Sequence, residues 1–315
     1  MRGDHAYPGV AIVGPTGAGK SDLAVRIAME CDGEVVNCDS LQFYRGMDIG
    51  TAKIGEAERR GVRHHLFDFL EPEEVFTAGE FARRASEVLR EIRERGKLPL
   101  LCGGSGFYLE ALLKGLFAGP IRDERLRQEL SEREQRRPGL LHRYLRCRDP
   151  VAAQRIHGND VNKVIRAVEV CMQEKRSLSE LHEERPRQGL EGFRVLKLGL
   201  NPKRELLYSR IDQRTRQMFE GGLLEEVKGL LARGHRKDAK AFEAVGYRQA
   251  IAHLEGQIEF EQAVSETAQK TRNYAKRQGT WFRRDAEIVW FEGFGAEEAV
   301  VTSALWEVRR FVKAT

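Results

Sequence analysis

The chain has 315 residues, 41% hydrophobic and 32% charged, which exceeds one ordinary domain and supplies a sizeable core. No apolar run approaches the roughly 20 residues of a membrane helix, and MRGDHAYPGV lacks a signal peptide's apolar middle, so a cytoplasmic protein with no membrane contact is expected. Five cysteines without a C-x-x-C pair exclude a disulfide framework and a zinc site, and a net charge of +5 is only weak evidence for a nucleic-acid partner.

Val10–Val13 is a short apolar strand that runs into GPTGAGKS, and Ser21–Met29 follows with apolar residues at helical spacing. Glu34–Val36 leads a second strand into NCDS. Phe81–Arg95 is a charge-laced amphipathic helix stopped by Gly96, and KLPLLCGGSG is a third buried strand closed by glycines. From Arg122 to Arg187 the chain reads as several charged helices, with turns at Pro138–Gly139, Asp149–Pro150 and Gly158–Asn159. Phe193–Leu200 restores strand chemistry, and Ala286–Glu292 reads as another core strand. The expected fold is therefore α/β, a P-loop NTPase-like parallel sheet flanked by helices. Residues 1–121 and 191–315 form the core, and residues 122–190 a helical insertion.

The segment Gly14, Pro15, Thr16, Gly17, Ala18, Gly19, Lys20 and Ser21 fits G-x-x-x-x-G-K-[ST] between a strand and a helix. Its backbone N–H groups, the helix dipole and Lys20 suit a di- or triphosphate, and the Ser21 hydroxyl suits a Mg²⁺ shell. A nucleotide hydrolase or kinase needs a further carboxylate at a strand end. Asp39 is the one good candidate, equally placed as a metal carboxylate or a general base, with a cap on the following helix with Ser40 as the plain alternative. His64 and His65 are adjacent, point apart on a strand and have no third ligand nearby, which favours a structural role.

Six blocks occur in order: DSLQFYRGMDIGTAK, HHLFD, CGGSGFYLEALL, NDVNKVIRAVEV, FEAVGYRQ and TRNYAKRQGTWFRR. Together they closely resemble the bacterial tRNA dimethylallyltransferases, also called tRNA isopentenyltransferases, over nearly the whole chain. The resemblance implies that the phosphate loop grips dimethylallyl diphosphate, with Mg²⁺ at Ser21, and that no ATP is consumed. Asp39 is then the base that relieves the adenine N6 amine of its proton. Lys20, Ser105 and Arg166 complete the catalytic set, with Lys20 and Arg166 on the leaving group. The positions implied to touch tRNA are Asp39, Ser40, Leu41 and Gln42, Ser105, Arg127, and Lys163, Val164, Ile165, Arg166 and Ala167. Ser105 stands where the family usually has Thr, Gly17-Ala18 where Ala-Ser is usual, and Lys163 where Arg is frequent.

The expected partners are the anticodon stem-loop of tRNA and dimethylallyl diphosphate, with no obligate protein partner and a monomeric chain. Phe43, Tyr44, Tyr247 and Trp281 are candidates for stacking on bases, although each alone reads more readily as core. Arg272, Lys276 and Arg277 form a basic helical face that fits phosphates or plain solvent. Two rival readings stand beside this one: prenyl transfer to free AMP or ADP, and a small-molecule P-loop kinase. The long Arg-rich insertion argues against the first, and the lack of a catalytic aspartate besides Asp39 against the second.

Overall fold

The computed structural model describes residues 6–117, 119–184 and 187–314. Six strands, β1 (Tyr7–Val13), β2 (Gly33–Asn37), β3 (His64–His65), β4 (Leu98–Cys102), β5 (Phe193–Leu200) and β6 (Ile288–Phe291), form one sheet in the order β3-β2-β4-β1-β5-β6. Every pairing is parallel. All five residues of β4 are buried, as a parallel strand covered on both faces requires. The stretch Ala286–Glu292 differs from the core strand expected of it. β6 pairs only with β5 and lies at the edge, so of its four residues Ile288 alone is buried.

Within the core the helices are α1 (Lys20–Glu30), α2 (Ala78–Glu94), α3 (Gly106–Lys114) and, numbered on past the helices of the insertion, α9 (Arg204–Met218), α10 (Leu224–Ala232), α11 (Tyr247–Leu254), α12 (Phe260–Phe282) and α13 (Glu298–Lys313). The two-residue period of β1 divides them between the sheet's faces. Val10 and Ile12 pack with Leu23 and Ile27 of α1 and Val301 and Val308 of α13. Ala11 and Val13 face the larger cluster of Phe43, Phe81, Leu89 and Tyr247. α2 shows how local sequence builds such an element. Thr77 and Glu80 form a reciprocal capping box, and Phe81, Ala85, Leu89 and Ile92 make one buried stripe. Among the described residues no helix is long and apolar enough to cross a membrane.

The chain divides into two compact units, 1–113 with 190–315, and Lys114–Gly189. The second begins eight residues before the composition change at Arg122, because the segment ahead of that residue is bonded into it. Arg166 Nη2 donates to Pro120 O at 2.9 Å and Gln173 Nε2 to Ile121 O at 3.2 Å. Its helices are α4 (Glu124–Arg136), α5 (Leu140–Arg148), α6 (Pro150–Arg155), α7 (Val161–Glu174) and α8 (Leu178–Glu184), with Asp123, Asp149 and Asp160 as side-chain caps of α4, α6 and α7.

The insertion's centre is Glu169, fully buried on α7. Its carboxylate accepts from Arg127 Nε at 2.9 Å, Arg166 Nη1 at 2.7 Å and Asp123 N at 2.8 Å. Burial alone would raise this carboxyl, but the Arg166, Asp123 and Arg127 donors hold it below the usual range. Glu169→Ala should destabilise the protein by about 2–3 kcal/mol, less than the full cost of unpairing buried charge because both guanidiniums reach water. Denaturant unfolding checks this, and a loss below about 0.5 kcal/mol would show the network to be inert.

Candidate active site

Three loops at the carboxyl ends of β1, β2 and β4 build one cleft, the position where open α/β sheets hold ligands. The first is Gly14–Gly19. Gly14 adopts φ +138°, and a Cβ there would lie 2.7 Å from Leu200 O, so only glycine lets the loop turn against β5. Lys20 Nζ donates to Pro15 O at 2.9 Å. The loop is held from outside at two more points: Gly295 N donates to Ala18 O at 2.9 Å, and Arg214 Nη2 donates to Thr16 Oγ1 at 2.9 Å.

The second loop carries Asp39. Asn37 shapes it, with Oδ1 accepting from Asp39 N at 2.9 Å and Nδ2 donating to Asp39 O and Leu66 O. Asp39 does not cap a helix. Its Oδ1 accepts from Leu41 N at 3.1 Å, closing a local turn, and among the described residues this is the carboxylate's one hydrogen-bond donor. The chain from Gln42 to Lys53 is fastened firmly. Gln42 Nε2 donates to Thr51 O at 3.2 Å. Glu226 accepts from the backbone N–H groups of Asp48, Ile49 and Gly50 and from the Tyr247 hydroxyl at 2.5 Å. Lys53, with its side chain 4% exposed, donates to Tyr44 O, Asp48 and Asp68.

The third loop carries Ser105. A Cβ on Gly103 would stand 2.1 Å from Cys38 O, so this glycine lets the second and third loops touch. Ser105 Oγ accepts from Ser40 N at 3.2 Å, tying the turn after Asp39 to the end of β4.

The cleft spans about 970 Å³ with its open mouth included. Thr16, Gly17, Gly19, Lys20, Ser21, Asp39 and Gln42 line it together with Cys102, Arg210 and Arg214. Gly14, Pro15 and Ala18 are buried beneath. Burial pushes the Asp39 carboxyl above its usual value, while the Leu41 N–H, Lys20 and Arg214 pull it back. Burial likewise lowers Lys20, opposed by Cys102 and Asp39 and abetted by Arg214. Arg214 is lowered by burial and by Arg210, and raised by Asp39. Its Nε is buried with no hydrogen-bond partner, an orphaned donor that suits an anion. Burial raises the Cys102 thiol to about 11, so the neutral thiol hydrogen-bonded to Ser21 is no nucleophile.

Among the described residues no group of three or more His, Cys, Asp or Glu is arranged to hold a metal. Among the oxygen donors of the cleft, which also include Asp22 and Glu58, are the Ser21 hydroxyl beside the glycine loop and the Asp39 carboxylate. That hard-oxygen pair fits an ion that takes most of its shell from phosphate and water, as Mg²⁺ does.

Phe43 (1% exposed), Tyr44 and Tyr247 (0%) are core residues, the reading each ring alone favoured. Phe43 packs among Phe69, Phe76 and Phe81, so these rings are closed to a base, whereas Trp281 remains 39% exposed. Val164, Ile165 and Ala167 lie in the insertion's own core, since they form the apolar face of α7. Their side chains are not a contact surface. Lys163, paired with Asp160 at 2.6 Å, is exposed, and Arg127 and Arg166 are both engaged by Glu169. Arg272 is paired with Asp212. His65 Nε2 meets Glu34 Oε2 at 2.6 Å and His64 Nδ1 meets Val62 O at 2.8 Å.

Four residues escaped the reading of the sequence. Arg210 and Arg214 on α9 carry no local motif, and only their spacing beside the buried Leu207 and Ile211 hints that they face inward. Tyr274 and Gln278 sit within a block read for its basic residues. Their four-residue spacing puts them on one helix face, the signal that was available.

Residues 42–285 match the IPP transferase family model. Over 305 residues the chain is 53% identical to a tRNA dimethylallyltransferase of Solibacter usitatus, covering 97% of this chain and 99% of that one. It is 52% identical over 295 residues to a tRNA dimethylallyltransferase of Koribacter versatilis, covering 93% and 95%. Of solved structures, the full-length tRNA isopentenylpyrophosphate transferase of Bacillus halodurans is similar at a TM-score of 0.73 and 37% identity, over 98% of this chain and 97% of that one. A eukaryotic dimethylallyltransferase described as acting on tRNA is similar at a TM-score of 0.80 and 26% identity, over 97% of this chain and 78% of that one.

Because the folded state raises Asp39's pKa, ionising this carboxyl costs stability that is present below its ordinary value near 3.8 and lost as pH rises to the folded value. Asp39→Asn keeps the acceptor for Leu41 and removes that cost. Its melting temperature should exceed that of the wild type by a margin that widens from about pH 4 upward and then levels. A variant no more stable at pH 8 contradicts the assignment.

Proposed function

Because the chain belongs to the IPP transferase family, we propose that it transfers a dimethylallyl group from dimethylallyl diphosphate to the N6 amine of the adenine 3′-adjacent to the anticodon of tRNA. The observation that carries this reading is Asp39 and the phosphate loop lining one cleft. An adenine amine is a poor nucleophile and an allylic diphosphate a good electrophile once its leaving group is neutralised. The reaction therefore needs a base on one side and dense positive charge on the other.

The N6 lone pair attacks C1 of the prenyl chain, the C1–O bond breaks, and its electron pair leaves on diphosphate. Asp39 takes the N6 proton. Lys20, the amides of the glycine loop and the first turn of α1 receive the diphosphate. Ser21 would help hold a Mg²⁺ ion there, which when bound would add charge neutralisation. Arg214, with its orphaned Nε above the loop, is the guanidinium we assign to the leaving group in place of Arg166, which Glu169 and Pro120 already occupy. Ser105, bonded to Ser40 N, holds the turn that presents Asp39.

Charge distribution supports RNA over free AMP as acceptor. Residues 114–189 hold 17 Lys and Arg against 12 Asp and Glu, while the rest of the chain is balanced at 36 of each. The whole positive excess therefore lies in the insertion, where sequence-independent phosphate attraction is useful. The adenine must also leave its stack, at a cost of a few kcal/mol that is smaller in a loop than in a duplex.

Purified protein given labelled dimethylallyl diphosphate, Mg²⁺ and unmodified tRNA should place label in the RNA and none in AMP or ATP. Label in AMP alone would favour the free-nucleotide reading, and release of phosphate from ATP the kinase reading. Lys20→Met should weaken dimethylallyl diphosphate binding by about 2 kcal/mol, the scale of a charge-assisted hydrogen bond. Unchanged affinity by calorimetry removes Lys20 from the clamp.

A further inference from the structure

Helix α12 reaches the cleft through one polar stripe. Gln278, 5% exposed, spends both ends of its amide on cleft loops. Its Oε1 accepts from Thr16 N at 2.8 Å and its Nε2 donates to Gly104 O at 2.9 Å. One turn earlier, the Tyr274 hydroxyl lies beside Ser105 and Gln278. One turn later, Trp281 lies so close that a Cβ on Gly106 would stand 2.3 Å from its ring, and a Cβ on Gly104 would stand 2.1 Å from Gln278 Nε2. The glycines of the CGGSG segment are thus fitted to α12 as much as to the turn itself. Ser105 in turn holds Ser40 N, beside Asp39.

We infer that Gln278 and Tyr274 are positioning residues, a strut by which α12 fixes the spacing between the diphosphate cradle and the base. The two sides of the reaction stand on different loops, one after β1 and one after β2, and the loop after β4 bridges them. In-line displacement tolerates little change in the distance between leaving group and nucleophile: a misplacement of about 1 Å costs on the order of 100-fold in rate. A side-chain amide with one donor and one acceptor engaged at opposite ends suits that task, because it resists both approach and separation of the loops. The Thr16 N–H is also withdrawn from the phosphate, which leaves Thr16 Oγ1 to Arg214 and makes the first part of the loop a fixed wall. This inference rests on the proposed transfer reaction for its functional half alone.

The test uses Gln278→Met, which keeps volume and loses both bonds, and Tyr274→Phe, which removes one hydroxyl. Amide exchange at Thr16 should quicken at least about tenfold in Gln278→Met, since its protecting acceptor is gone. In the labelled transfer assay kcat should fall about 10- to 100-fold, with KM for the prenyl diphosphate changing less than about threefold. The double variant should be little worse than Gln278→Met, because both substitutions break one strut. Unchanged exchange at Thr16, or a lowered melting temperature with kcat intact, overturns the inference. An inactive wild-type chain whose Thr16 exchange still responds to Gln278→Met would remove the transfer reading and leave the strut standing.

Discussion

The site depends on opposite charges held near each other in a half-buried cleft. Lys20, Arg214 and Asp39 line one cleft. Burial works against the charged form of each, and the attraction between them works for it. The same cations that suit a departing diphosphate oppose the burial that raises the Asp39 carboxyl. One arrangement therefore serves both halves of a displacement in which negative charge grows on one side and a proton is shed on the other.

The remaining architecture keeps that arrangement from collapsing. Left alone, Lys20 and Asp39 would close into a simple ion pair. They are instead carried on separate strand ends, and neighbours on later parts of the chain fix the loops. Gly295 and Arg214 hold the glycine loop, Glu226 and Tyr247 hold the turn at Asp48–Gly50, and Gln278 joins two loops through one amide. The block FEAVGYRQ thus contributes a buried phenol that orients a carboxylate, not a ring for stacking. In the insertion the same logic recurs around Glu169, where two arginines and one amide satisfy a single buried carboxylate.

The parts of this molecule legible from sequence were those with a local physical signature. The glycine spacing of the phosphate loop, the apolar runs of β1, β4 and β5, and the charge-laced stripe of α2 all announce themselves within a few residues. Asp39 was legible because it ends a strand. Arg214 and Gln278 were not, because what makes them part of the site is contact across 198 and 262 residues with Thr16, and only their helical spacing hints at it. Val164, Ile165 and Ala167, which the resemblance implies touch tRNA, keep their side chains in the insertion's core, because a helix turns successive residues to different faces. Tyr44 and Tyr247 show that a hydroxyl at a ring's tip, once bonded to Glu74 O or to Glu226, lets an aromatic serve in the core.

The coupling between cradle and base is most directly tested by the pH profile of single-turnover prenyl transfer in wild type and Arg214→Gln. Arg214 pulls the Asp39 pKa down, and transfer needs the carboxylate, so rate should rise with pH through the folded pKa in both proteins. Removing the guanidinium should shift that acidic limb to higher pH. A limb that stays in place, or one absent from the wild type across the carboxylate range, contradicts the account.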